Sequence, residues 1–429
     1  MVIKNAYIIT MDDEKIIHSG YIVTEGRKIT YVGEELPVGI DTTKVIDARG
    51  GIVMPGLINA HTHSPMSILR GYADDLPLHS WLCDKIFPAE DKIDPESVYY
   101  GSLLSIAEMI KGGTTAFSDM YFTTENAIKA AMDSGIKANI SPCITGFGEE
   151  YVPLLDKAKE LYKTYNNEKD GKIKIDYSLH AVYSCGKEAL SAVSEAARQD
   201  NTGLSIHISE TEKENADCFN IYGISPSKLL FNAGVLRKGT SAAHCVYLSD
   251  EDMELISKTE AIVVTNPISN LKLASGIAQT AKMLEKGITL AIGTDGAASN
   301  NSLDMFAEMK LCALLAKGTE KDASRLTAYE ALTAATTGGA AALSRQNETG
   351  KIKEGFDADF IILDADSPNL CPVYSPVSSA VYSANSGNVA TSVIGGEIVM
   401  ENRELLTIDM EKVKREVKKS IERIGISQF

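Results

Sequence analysis

Five of the seven histidines in the chain stand at or just beyond the end of an apolar run. His61 and His63 close "LINAHTH", His180 closes "IKIDYSLH", His207 lies in "GLSIHISE" and His244 in "TSAAHCVYL". Two carboxylates share the setting: Glu210, three residues past His207, and Asp295 at the end of "TLAIGTD". Neutral imidazoles with a carboxylate suit one divalent metal ion, Zn²⁺ or in the same setting Fe²⁺, with a coordination position left open for water. Such an ion lowers the pKa of bound water from 15.7 to about 7 and so supplies hydroxide at neutral pH. The expected ligands are His61, His63, His207 and Asp295, holding one ion per chain. Asp295 can also accept a proton from the water, and His244 can orient or deprotonate that water. Glu210 is near enough to reach a substrate without being a ligand, and suits a shuttle that carries a proton from water to a ring nitrogen.

These residues need elements that bring them together. Eight short apolar runs read as strands: "LINAHTH", "TTAFSDM", "KANISPCI", "IKIDYSLH", "GLSIHISE", "TSAAHCVYL", "AIVVTNP" and "TLAIGTD". Helical patterns such as "PESVYYGSLLSIAEMIKGG" and "KEALSAVSEAARQDN" lie between them. Alternation of buried strands and helices predicts a parallel sheet, and eight units of about 30 residues predict a closed (β/α)₈ barrel. An open doubly wound sheet is the other possibility, but no GxGxxG follows the first strand. Active-site groups of a barrel lie at the C-terminal ends of its strands. His61 and His63, two apart on a strand, point to one face. Purely structural histidines would require five independent coincidences. His18 fits no such position and reads as surface, and His79 reads as loop.

The first ~50 residues alternate like short strands, and strand-like text returns after Gly350 in "KIKEGFDADFIILDAD" and "VATSVIGGEIVMENRELL". The expected organisation is a composite β-sandwich domain from residues 1–55 and 350–429, ending in the charged amphipathic helix "DMEKVKREVKKSIERIG", with the barrel over 56–349. The helix's basic run reads as a solvated face.

Composition narrows the function. The 429 residues are 44% hydrophobic and 23% charged, ordinary for a folded chain, and the formal net charge of −16 argues against nucleic-acid and anionic membrane partners. No apolar run reaches the ~20 residues of a membrane span, and the start lacks the pattern of a signal peptide. Seven scattered cysteines with no CxxC pair read as thiols in a reducing compartment, so the cytoplasm is expected. "GTDGAASNN" resembles a phosphate loop, but no GK[ST] follows, and its glycines suit a tight turn.

In order along the chain, "VMPGLINAHTHSPMSILRGYADDLPLHSWL", "FPAED", "SLHAVYSC", "IHISET", "AAHCVYL", "NPISNLKLASG", "GTDGAASNNSLDMF" and "GKIKEGFDADFIILD" resemble the amidohydrolase superfamily. Within it they are most similar to the 5-methylthioadenosine/S-adenosylhomocysteine deaminases and the 5′-deoxyadenosine deaminases. The resemblance spans essentially the whole chain. It implies water attack at C6 of an adenine ring and loss of ammonia, with a small nucleoside as the partner and a homo-oligomer as the expected assembly. It also implies substrate-binding roles for Trp81, Glu90, His180 and Ser299, alongside Glu210 and Asp295. Binuclear relatives carry a lysine at the end of the fourth strand. Here His180 ends that strand and Lys172 and Lys174 lie near its start, so the resemblance implies a mononuclear site. One departure stands out: residues 141–177 contain no arginine, where relatives have arginines that reach the far end of the substrate, and contain Glu149 and Glu150 instead. Small uncharged 5′ groups are therefore expected to be preferred over S-adenosylhomocysteine. Other readings are a guanine-type deaminase, a triazine chlorohydrolase, or an inactive metal-binding scaffold. The intact histidines and carboxylates argue against the last.

Overall fold

The structure is a computed structural model and describes residues 1–425, the side chain of His79 excepted. All eight apolar runs are strands: Leu57–Thr62, Thr114–Tyr121, Lys137–Ile144, a fourth in two pieces (Ile173–Ile175 and Tyr177–Leu179), Leu204–Ile208, Thr240–His244, Ile262–Thr265 and Leu290–Ile292. They pair in parallel in chain order. Every residue of the first strand is buried, as in a sheet covered on both faces.

Specific hydrogen bonds join the last strand to the first. Asp295 N donates to His61 O at 3.0 Å, Thr294 N donates to Asn59 Oδ1 at 3.0 Å, and Thr62 Oγ1 donates to Asp295 O at 2.8 Å. Gly293 makes the approach possible, since a Cβ there would lie 2.8 Å from both N and O of His61. Small and branched residues fill the space between strands: Ile58, Ala60, Ala116, Ile262, Val264 and Ala291 form one buried cluster with Ala340 and Leu343.

The covering helices start where the sequence supplies caps. Asp94 accepts from Ser97 N at 2.7 Å ahead of Pro95–Lys111, which has Pro95 in its first turn. The C-terminal helix Met410–Ile424 buries Val413, Val417 and Ile424 and pairs Arg423 with Asp94 at 2.9 Å.

The two chain ends share a second, mixed sheet of nine strands. Its central junction pairs Ile52–Pro55 antiparallel with Phe360–Leu363. Ile3, Ile8, Ile22, Val53, Phe360 and Val393, drawn from both ends, pack in one core. Only Gly56 separates the strand Ile52–Pro55 of this sheet from the first barrel strand.

One local expectation needs correction. The stretch after "HTH", rich in loop residues by type, is helical over Leu78–Ser80, Trp81–Ile86 and Phe87–Glu90, the middle piece being a wide π-type turn. His79 therefore lies in a helical turn and not in a loop. Apolar Leu78, Trp81, Leu82 and Ile86 face the pocket below, which supplies the packing that single-residue turn preferences do not register. His18 is exposed, on the strand Ile16–Glu25.

Candidate active site

The strand ends bring the histidines together. The His61 ring centroid lies 4.9 Å from that of His63, 4.8 Å from that of His207 and 5.6 Å from that of His244. His180 lies 5.1 Å from His207. Ligand atoms of His61, His63 and His207 all fall within 4.8 Å of one another, and so do those of His61, His244 and Asp295.

Backbone carbonyls select the ring tautomers. His63 Nδ1 lies 2.6 Å from Met120 O, and His207 Nδ1 lies 2.7 Å from His180 O. A carbonyl can only accept, so each Nδ1 carries a hydrogen, and in the neutral ring each Nε2 is a lone pair. His61 Nε2 is buried without any hydrogen-bond partner, a state that buried polar atoms seldom keep unless a ligand completes them. Asp295 turns Oδ1 toward His63 Nε2 at 3.1 Å and His61 Nε2 at 3.6 Å. Its Oδ2 accepts from Ser269 Oγ at 2.7 Å and Ser299 Oγ at 2.6 Å. Burial alone would raise the Asp295 carboxyl, yet the facing His61 and His63 rings bring it well below the usual carboxylate range. Burial keeps His61 and His207 neutral while Asp295 raises His63 to about 9, so the carboxylate favours positive charge at this point, and a divalent cation on the three Nε2 atoms fits it.

Across the pocket, His244 Nδ1 lies 2.8 Å from Asn270 Oδ1 and its Nε2 lies 4.0 Å from Glu210 Oε2. Burial raises the Glu210 carboxyl, and Ser275 Oγ reaches it at 3.4 Å. Three strand-end residues, Ser209, His244 and Asp295, hold left-handed backbone with φ of 49°, 70° and 62°. For residues other than glycine each costs on the order of 1–3 kcal/mol, and such strain gathers where side chains must be aimed.

Trp81, Glu90, His180 and Ser299 all line this pocket. Glu90 is raised by burial and hydrogen-bonded by Tyr121. Trp81 is buried with its Nε1 unpartnered. The Ser299 hydroxyl lies 2.6 Å from Asp295 Oδ2 and 3.0 Å from Gly296 O, and its one hydrogen goes to the nearer carboxylate. Glu149 and Glu150 are exposed and do not line the pocket, and Glu150 accepts from Phe147 N.

The profile of the amidohydrolase family matches residues 52–399. The chain belongs to the amidohydrolase family. Among its relatives, the 5-methylthioadenosine/S-adenosylhomocysteine deaminase of Acetivibrio thermocellus is 44% identical over 99% of both chains. The 5′-deoxyadenosine deaminase of Methanosarcina acetivorans is 44% identical over 99% of this chain and 98% of its own. A crystal structure of an adenosine deaminase from Xanthomonas campestris with bound zinc superposes with a TM-score of 0.94 at 32% identity, covering 99% of this chain and 98% of that one. Together with the imidazole and carboxylate cluster, these matches identify a divalent-metal amidohydrolase.

Two residues of this amidohydrolase site escaped sequence reasoning. Asp119, buried at the end of the second strand and pushed up to about 6 by burial, accepts from Ser64 N at 2.6 Å and Ser64 Oγ at 2.7 Å, which fixes the backbone next to His63. Glu214 accepts from Ser209 N at 2.9 Å and Glu210 N at 2.8 Å and so holds Glu210 in place. A signal existed for Glu214, since Thr211-x-x-Glu214 has the spacing of a capping box. Thr211 does cap the helix, accepting from Glu214 N at 3.1 Å, while the Glu214 side chain reaches past the cap to the site. Asp119 carries only its place at a strand end as a signal.

Proposed function

We propose that this chain hydrolytically deaminates adenosine-type nucleosides to the inosine analogue and ammonia. 5′-Deoxyadenosine, 5′-methylthioadenosine and adenosine are its substrates, with S-adenosylhomocysteine a poorer one. The observation that carries the reading is the meeting of Glu210 and His244 with Asp295 and three ligating imidazoles in one pocket, with Glu90 on its wall. The names of the 44% identical relatives support the same chemistry.

His61, His63, His207 and Asp295 hold one divalent ion in this reading, zinc as in the Xanthomonas campestris structure. When bound, the ion supplies a water acidic enough to ionise near neutral pH. A single ion is favoured because Lys172 and Lys174 stand at the far end of the fourth strand and are paired with Glu397 and Glu348. Asp295 accepts a proton from the attacking water through Oδ1, its Oδ2 being held by two serines. His244 orients the water through Nε2, since Nδ1–H is committed to Asn270. Glu210, which burial makes readier to hold a proton, protonates the adenine ring nitrogen as water adds at C6. Glu90 accepts from the ribose 2′- and 3′-hydroxyls, His180 contacts the base or the 3′-hydroxyl, and Trp81 covers the sugar side.

The buried thiols of Cys143, Cys185, Cys218, Cys245 and Cys312 accord with a cytoplasmic setting. No helix among the described residues is long and apolar enough to cross a membrane. The exposed Phe219 and Ile221 on Glu212–Tyr222 favour a homo-oligomer, which sedimentation would measure. The deciding experiment is ammonia release from the purified protein on a panel of adenosine analogues, guanine and chlorotriazines. Turnover of the adenosine analogues alone supports the reading, and a guanine or a chlorotriazine as the best substrate overturns it.

A further inference from the structure

The helix Met305–Glu320 starts at Asp304, whose carboxylate accepts from Phe306 N at 2.9 Å. Its buried stripe runs through Met305, Met309, Cys312 and Ala316 at helical spacing. Glu308 stands on that same stripe, fully buried, where the pattern asks for an apolar residue. Burial pushes its carboxyl up to about 8. A carboxyl is costly to bury, and its partners show what it does there.

Each oxygen binds a segment that ends at the active site. Oε2 accepts from Ile268 N at 3.1 Å, in the helix Pro267–Lys272. Oε1 accepts from Asn300 Nδ2, in the turn Ala297–Asn300. The same Asn300 nitrogen donates to Thr294 O at 2.7 Å, next to Asp295. Each segment supplies one serine to Asp295 Oδ2: Ser269, beside Ile268, and Ser299, beside Asn300. Asn270, two residues from Ile268, also faces His244 Nδ1. At six and four residues neither segment is long enough to be stable as a helix without tertiary contacts. The two donors facing Glu308 need two acceptor oxygens, which a carboxyl has and an amide lacks.

We propose that Glu308 is a positioning residue: it joins the segments 267–272 and 297–300 so that Ser269 and Ser299 together hold Asp295 in the orientation that ligates the metal ion and accepts the proton of water. The inference rests on the roles that the deaminase reading gives Asp295.

The test is Glu308→Gln in the full chain, which keeps the volume and turns one acceptor into a donor that faces another N–H. Two quantities are measured: zinc affinity, by competition with a chromogenic chelator, and kcat and KM for adenosine at saturating zinc. Zinc should bind about tenfold more weakly, the lower end of what loss of support behind a ligand costs. The kcat should fall by about tenfold with KM little changed. A lower urea midpoint with native zinc affinity and native kcat would mean a merely structural role and overturns the proposal. In a chain already carrying Ser269→Ala and Ser299→Ala, Glu308→Gln should lose most of its effect on zinc affinity, because it acts through those hydroxyls. Full additivity there overturns the route through Asp295. Asn300→Ala opens the same junction from its other side and should also weaken zinc binding. Should Glu308→Gln not fold, native zinc affinity in Asn300→Ala overturns the proposal. A native chain that turns over no adenosine compound removes the deaminase reading, while zinc competition still decides whether Glu308 holds Asp295.

Discussion

The two ends of the barrel are both buried, polar and dense in charge, and they are organised oppositely. At the base, Lys137 at the start of the third strand is fully buried between Asp357, at 2.6 Å, and Asp359. Asp357 is also held by Arg27 and by Lys28, the latter at 2.8 Å. Nearby, the buried Arg345 guanidinium donates to Asn139 Oδ1, to the carbonyls of Gly171 and Lys172 and to Glu348. These charges close on one another and tie the barrel to the second sheet. At the mouth, the Nε2 of His61 and the Nε1 of Trp81 have no partner, and burial raises the carboxyls of Glu90 and Glu210. A saturated polar cluster stabilises an interface, whereas one left incomplete and strained is available to a ligand.

Four substitutions and one titration would break or sharpen that contrast. The largest effect is expected from His61→Ala at the mouth. It should keep the fold by circular dichroism, lose bound metal by elemental analysis and lose activity by at least about 10³-fold, because an open site short of one ligand binds weakly. Glu210→Gln should retain metal and lower kcat by about 10²–10⁴-fold, the usual worth of a positioned acid-base group. Near-normal kcat with that variant would remove the shuttle from the mechanism. At the base, Lys137→Met leaves Asp357 and Asp359 buried without their shared cation and should cost about 3–5 kcal/mol in urea unfolding. A small loss there would mean that the two ends do not differ as described.

The titration concerns Asp357. Burial alone would raise its carboxyl, but hydrogen bonds from Arg27, Lys137 and Lys28 hold it well below the usual carboxylate range. Its contribution to stability is therefore fully present above the unfolded pKa of about 3.9 and is lost as pH falls through the lower folded value. Urea midpoints measured downward from pH 6 should fall less steeply below pH 4 for Asp357→Asn than for the native chain, by up to about 1.4 kcal/mol per pH unit. The smallest effect is expected from Ser184→Ala. Ser184 Oγ lies 2.8 Å from His180 Nδ1 and donates to Ala181 O, so it accepts from the ring and leaves His180 Nε2 as an acceptor in the pocket. Loss of that one bond should lower kcat/KM by about two- to tenfold, with metal content and kcat for the remaining bound substrate little changed.

The chemistry was legible in the chain itself because local pattern and catalytic position coincide in this architecture. A strand's apolar run marks its own end, and in a parallel barrel that end is where side chains converge. His61, His63, His180, His207, Glu210, His244 and Asp295 could therefore be named from residue type and place alone, as could the eight strands that carry them. The ordered motifs added Trp81 and Glu90. What tertiary structure alone decided is how those groups are held and what surrounds them. Ser299 turns to Asp295, Glu214 and Asp119 fix neighbouring backbone, and Glu150 folds back on Phe147 away from the pocket. Each of these depends on hydrogen bonds whose geometry residue type does not encode, since serine or glutamate can pair equally well with solvent, backbone or substrate. The helical form of 78–90 arises the same way, from packing between segments distant in sequence, which overrides local propensity.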